Sequence, residues 1–163
     1  MELNHNQFMK KALQEAKYAF FKGEVPVGCV IVHNNEIISR SSNMVELLND
    51  STAHAELIAI TSAQNNLNSK NLEKCTIYST LEPCIMCYGA IYLTKMKTIV
   101  YGASDLKRGF SSQTINIDRD IKNSIYFSEV KGYHCAQPFQ RMFLKYNGNV
   151  TICCIDDLSL IHI

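Results

Sequence analysis

Thr80-Leu81-Glu82-Pro83-Cys84-Ile85-Met86-Cys87, read with Thr52-Ala53-His54-Ala55-Glu56 upstream of it, decides how this chain folds and what chemistry it supports. The two segments bring together one imidazole, two thiols and a carboxylate. A zinc ion that does chemistry takes three protein ligands and leaves its fourth tetrahedral position to water, so His54, Cys84 and Cys87 make a complete set. Glu56 is then free to move protons.

Each piece also marks a place in the fold. Pro83 suits the first turn of a helix, where a missing N–H costs nothing, so the spacing predicts that Cys84 and Cys87 open a helix and share one face of it. The partial positive charge of a helix N-terminus favours thiolate over thiol, and the thiolate is the form that binds metal. Asp50, Ser51 and Thr52 are good N-capping residues, and the apolar run Leu57, Ile58, Ala59, Ile60, Ala63 follows, so His54 is also expected at a helix start. Residues two apart in a regular helix point to different faces, so His54 and Glu56 can converge only from the helix end.

Taken singly, the pieces have bland readings. His-Ala-Glu alone fits an ordinary surface pair. Cys-x-x-Cys alone fits a redox pair, half of a structural zinc site or two buried thiols. A four-thiolate structural site needs a second Cys-x-x-Cys, and the other cysteines, Cys29, Cys75, Cys135 and the adjacent Cys153-Cys154, supply none. In combination, His-x-Glu and Pro-Cys-x-x-Cys form the pattern of the zinc-dependent nucleobase deaminases.

On these residues the chain resembles the bacterial tRNA adenosine deaminase family of the cytidine deaminase superfamily. The likeness runs from Glu24-Val25-Pro26-Val27-Gly28 through Asn43, the two zinc segments and Gly89-Ala90-Ile91 to Val100-Tyr101-Gly102-Ala103, Asp105, Lys107 and Gly109, about two thirds of the chain. The resemblance implies one Zn2+ per subunit on His54, Cys84 and Cys87, with Glu56 as the catalytic proton shuttle. It implies that Asn43, Val27, Pro26 and Ala55 bind the target nucleoside, and that Asp105 and Lys107 contact the substrate beside it. The fold it implies is a three-layer, cytidine-deaminase-like α/β sandwich: a mixed five-stranded sheet with helices on both faces. A homodimer is expected on the same ground. The pattern is departed from at Asp50-Ser51-Thr52, at Phe110-Ser111-Ser112-Gln113, where the family has a glycine-containing stretch, and at Asn123-Ser124 and Cys135.

The activity so implied is hydrolytic deamination of adenosine to inosine at the wobble position of a tRNA anticodon, with the unpaired base splayed into a protein pocket. Zinc lowers the pKa of a bound water to roughly 7, and a neighbouring carboxylate relays its proton. Glu56 would take that proton, and the same carboxylate would protonate N1 and the departing amine, the water supplying one proton for each. Two other classes stay open. A free nucleobase deaminase acting on guanine or cytosine shares the zinc set and differs in the pocket, where Asn43, Ala103 and Asp105 argue against it. A tRNA-binding partner subunit that keeps zinc for structure should lack the proton shuttle, and Glu56 is present.

Bulk composition is neutral on the substrate. With 16 Lys and Arg against 15 Asp and Glu, any RNA contact must be locally charged. Lys107-Arg108, Lys95 with Lys97, and Arg141 with Lys145 are the candidates, each set against the plainer reading of a solvated face; Lys107-Arg108 leads because it adjoins Asp105. At 163 residues and 47% hydrophobic, the chain is expected to form one domain: residues 1–149 as the deaminase, and the apolar 150–163 as a tail of it or a disordered end. No segment reads as a signal peptide and no run reaches membrane-spanning length, so a cytoplasmic protein is expected. Seven cysteines, an odd number, read as metal ligands plus buried thiols in a reducing compartment.

The remaining pattern alternates helix and strand. Phe8, Ala12, Leu13, Ala16 and Ala19-Phe20 fall at helical spacing and stop at Gly23. Residues 27–32 and 36–39 flank His33-Asn34-Asn35 as a hairpin. Strands are expected near 76–79, 98–101 and 124–130, and a helix over 137–146. His5, His33, His134 and His162 need not be ligands.

Overall fold

Asn34 and Asn35 both adopt left-handed backbone angles, φ 49° and 67°, and so close a two-residue hairpin turn between β1 (Gly28–His33) and β2 (Glu36–Ser42). The computed structural model describes residues 5–112 in full and the backbone of 126–129. β1 runs antiparallel to β2 on one side and to β3 (Cys75–Leu81) on the other. β3 pairs in parallel with β4 (Thr98–Ala103), and the backbone of β5 (Tyr126–Glu129) pairs in parallel with β4. The order is β2-β1-β3-β4-β5, a mixed sheet in an α/β fold. Four helices accompany it among the described residues: α1 (His5–Phe21), α2 (Val45–Leu48), α3 (Ala55–Leu67) and α4 (Ile85–Leu93). The short α2 had no sequence signal. A 3-10 turn covers Phe110–Ser112.

Adjacent strand residues point to opposite faces, and Tyr78 and Ser79 of β3 show which helix covers which. Tyr78 packs its ring against Phe8 of α1 at 5.3 Å between centroids, and its hydroxyl lies 3.0 Å from His5 Nδ1. On the same face Gly28 lies against the α1 backbone at Ala12 and Ala16, where a side-chain carbon would collide. The buried stripe Phe8, Met9, Ala12, Ala16, Ala19 is therefore narrow at its centre, so that helix and sheet approach closely. Gly23, at φ 78°, ends α1 and lets the Glu24 N–H fold back to the Ala19 carbonyl.

Ser79 faces the other way. Its hydroxyl reaches Glu56 of α3, and from the same face Ser39 and Ser41 donate to the Ala59 and Ala55 carbonyls of that helix at 2.9 and 2.6 Å. α4 is tied in through Tyr88, stacked on Phe110 at 4.6 Å, with Phe110 set edge-on to Tyr101 of β4. Helices thus lie on both faces of β1–β4. No described helix is long and apolar enough to cross a membrane.

The expected helix at 137–146, the 150–163 tail and its boundary, and positions Gln113, Asn123-Ser124, His134, Cys135, Arg141, Lys145, Cys153-Cys154 and His162 lie outside the described residues.

Candidate metal centre

Both helix starts expected from the sequence are present, each shifted by a residue or more. Cys84 itself is the N-cap of α4, so Pro83 precedes the helix rather than filling its first turn; the extended Cys84 backbone, ψ 171°, satisfies the preference of that position. His54 is the N-cap of α3, extended at ψ 148°, and neither Asp50, Ser51 nor Thr52 takes that role. Asp50 instead accepts from the Thr52 N–H and hydroxyl at 2.8 and 2.7 Å, closing a turn before the helix, and those bonds hold its carboxyl below the usual range. An extended cap also resolves the facing problem: His54 is not in the helix, so its ring swings onto the side that Glu56 shares.

The ligand atoms converge. His54 Nδ1 lies 3.6 Å from Cys84 Sγ and 3.5 Å from Cys87 Sγ, and the two sulfurs are 3.7 Å apart. A tetrahedral zinc with Zn–S about 2.3 Å and Zn–N about 2.0–2.1 Å sets a sulfur–sulfur edge of about 3.8 Å and sulfur–nitrogen edges of about 3.5–3.6 Å. The donor set therefore fits zinc in both chemistry and spacing. Among the described residues it is the one His/Cys/Asp/Glu group with such convergence.

Proton affinities follow the contacts. The Cys84 thiol is brought down to about 4, first by the hydrogen bond it accepts from Cys87 and, against burial, by His54. Cys87 is pushed far up by donating that bond, by burial and by the nearby Glu56 charge. His54 is raised chiefly by its hydrogen bond to Cys84, with burial and then Arg108 opposing. Glu56 is 3% exposed, and burial raises its carboxyl despite the hydrogen bond from Ser79. Glu56 Oε1 accepts from Ser79 Oγ at 2.8 Å, and Oε2 lies 3.6 Å from Cys87 Sγ. Cys29 is a buried thiol on the sheet beneath, raised by burial and by Glu56.

The other expected site residues fall into two groups. Val27, Asn43 and Ala55 are buried, with Pro26 half-buried beside them. The Asn43 N–H donates to the Val27 carbonyl at 2.9 Å and the Met44 N–H to the Ala53 carbonyl at 3.0 Å, so Asn43 is strung between Val27 and the segment carrying His54. Lys107 is exposed, and Asp105 turns its carboxylate on its own loop, accepting from the Lys107 and Arg108 N–H groups at 2.9 and 3.0 Å.

Three polar residues were given no role by the sequence reading, although Glu24 and Glu82 stand in the motifs that carry the likeness. Glu24 accepts from Asn43 Nδ2 at 3.0 Å and from the Glu46 and Leu47 N–H groups, holding Asn43 and the first turn of α2 together. Glu82 accepts from the Asp105 and Ser111 N–H groups, both at 3.0 Å, with Gly109 pressed against its carboxylate. Cys84 and Gly109 form a backbone bridge, so the 105–111 loop is fastened to the metal helix. Ser79 is the third. Each finds its partner more than 18 residues away, and no local spacing announces that.

Comparison with known proteins agrees with this geometry. The family model for the cytidine and deoxycytidylate deaminase zinc-binding region matches residues 2–103. A tRNA-specific adenosine deaminase of Aquifex aeolicus is 53% identical over 145 residues, covering 88% of this chain and 96% of the relative. A solved chain from a study of A-to-I editing by tRNA:A34 deaminases at the wobble position of transfer RNA superposes at TM-score 0.63 and 41% identity, covering 67% of this chain and 84% of that one. A guanine deaminase structure from Bacillus subtilis gives TM-score 0.61 at 30% identity, covering 89% and 97%. Site, fold and likeness converge on one conclusion: the chain belongs to the tRNA-specific adenosine deaminases, within the zinc-binding cytidine and deoxycytidylate deaminase family.

Proposed function

We propose that this protein is a zinc-dependent hydrolase that converts adenosine to inosine at the wobble position of a tRNA anticodon. One observation carries the reading: a buried carboxylate, Glu56, adjoins a zinc-fitting His54-Cys84-Cys87 set in a chain 53% identical to a tRNA-specific adenosine deaminase along 96% of that relative. Bound there, zinc supplies a Lewis acid that makes water a nucleophile at neutral pH.

The chain's own groups do the rest. Glu56 uses Oε2 to take one proton from the attacking water and pass it to N1 of the adenine, then takes the second from the new C6 hydroxyl and passes it to the departing amine. Water adds at C6, the C6–N bond breaks, and inosine and ammonia leave. Asn43, Val27, Pro26 and Ala55 surround the base and its ribose, and the 105–108 loop meets the neighbouring nucleotides, Lys107 by charge. An anticodon loop suits such a pocket because its bases are already unpaired, so less stacking must be undone.

The finer architecture goes with this reading: a three-layer sandwich on a five-stranded sheet, a single deaminase domain over residues 1–149 with the apolar 150–163 as its tail or a disordered end, a homodimer, and residence in the cytoplasm, where its tRNA is. Support comes from the family likeness and from the free cysteines Cys29, Cys75, Cys84 and Cys87.

The test offers purified, zinc-loaded protein an anticodon stem-loop with wobble adenosine beside free adenine, guanine, cytosine and cytidine, and measures inosine and ammonia. Turnover confined to the stem-loop is expected. Turnover of free guanine instead would favour the runner-up, to which the guanine deaminase likeness lends its weight.

A further inference from the structure

We propose that Ser79 is a positioning residue for the proton shuttle: its hydroxyl helps to set the plane of the Glu56 carboxylate, so that one oxygen faces the reacting groups. The inference rests on the deaminase reading and adds a residue to it. Ser79 is fully buried in β3, on the sheet face that α3 covers, and its register neighbours are Cys29 of β1 and Tyr101 of β4. The Cys29 thiol is a weak donor, whereas Ser79 gives the carboxylate a full O–H bond at 2.8 Å.

Glu56 joins helix to strand through that bond. A glutamate carboxylate turns broadly about its last torsion; its own backbone N–H tethers it near the helix end, and the 2.8 Å bond from Ser79 Oγ is the second point that restrains the rotation. The other oxygen is then left on the side of Cys87 Sγ, at 3.6 Å, where the metal ligands meet. A general base must lie within hydrogen-bond reach of the proton it takes, so the orientation of the carboxylate governs turnover rather than substrate affinity. The Ser79 hydroxyl spends its hydrogen bond on Glu56, so its effect runs through that residue.

Ser79→Ala, Ser79→Val and Ser79→Thr separate hydroxyl from volume, since Val and Thr match in shape and differ in that group. Ala and Val should lower kcat roughly 10- to 100-fold, the usual cost of losing an outer partner of a metal site, with KM within about twofold and one zinc per chain retained. Thr should recover most of kcat. A crystal structure of Ser79→Ala should show the Glu56 carboxylate in more than one orientation, against one in the unaltered protein. Wild-type kcat in Ser79→Ala, an equal loss in Thr and Val, or a single unchanged Glu56 orientation in Ser79→Ala would each overturn the proposal. Every deaminase substrate needs the same shuttle, so if the unaltered protein turns over a free base and not the stem-loop, the functional reading fails and the Ser79 series is read on that base.

Discussion

Tyr78 and Ser79 are consecutive in one strand, yet they belong to different parts of the molecule's work. On the Tyr78 side the sheet meets α1 through rings, alanines and a glycine, and the contacts are those of a close-packed core. On the Ser79 side it meets α3 through hydroxyls donated to helix carbonyls and to a buried carboxylate. One face holds the protein together and the other aims its chemistry. Damage on the first should therefore appear as lost stability, and damage on the second as lost turnover in a folded protein.

The largest effects test the chemical face. Cys84→Ala should abolish zinc binding and bring deamination to background, because two remaining ligands do not hold the ion; metal analysis after gel filtration reads the first and inosine formation the second. Glu56→Ala should keep fold and zinc while turnover drops roughly 10²- to 10⁴-fold. A Glu56→Ala protein near full activity would remove the distinction between the faces as well as the mechanism.

Next in size is the packing face. Phe8→Ala opens a cavity against Tyr78 and should cost about 3 kcal/mol in denaturant unfolding, while kcat per folded, zinc-loaded molecule stays within about twofold. A large kcat loss there would show that the two faces are coupled through the strand.

A pH titration probes the same spot more gently. Burial pushes the Tyr78 hydroxyl from its ordinary 10.0 up to about 12. A raised folded pKa means the neutral form is favoured by folding, so that contribution is whole below about pH 10 and is lost as pH climbs towards about 12. Tyrosinate absorbance should lose a late-titrating component in Tyr78→Phe, and unfolding free energy should decline across that window in the unaltered protein more than in that variant. The smallest effect belongs to neither face. Lys95 and Glu73 form an exposed ion pair at 3.6 Å, and Lys95→Ala should change stability by less than about 0.5 kcal/mol.

How much of this was legible follows the same division. The four chemical residues were readable because two short spacings, His-x-Glu and Cys-x-x-Cys, are imposed by ligand geometry and survive in sequence as local patterns. The hairpin was readable because Asn34-Asn35 tolerate left-handed angles. The caps were misplaced because capping by side chain is only one way to start a helix: His54 and Cys84 serve through extended backbone, and their side chains are turned to each other instead. The roles of Ser79, Glu24 and Glu82 were not readable, for a different reason. A buried serine in a strand looks like any half-polar strand residue, and the amides that Glu24 and Glu82 accept come from Glu46, Leu47, Asp105 and Ser111, which only the closed fold brings near.

The Asn34-Asn35 turn has a practical use. Val27, Asn43, the zinc set and the 105–108 loop all gather where β1 begins and where β2, β3 and β4 end, while the turn caps the opposite edge, one β1 length or about 17 Å away. That makes the hairpin tip a handle. A fluorophore, an affinity peptide or a surface tether grafted there would let the enzyme be watched or immobilised with its working end facing the solution.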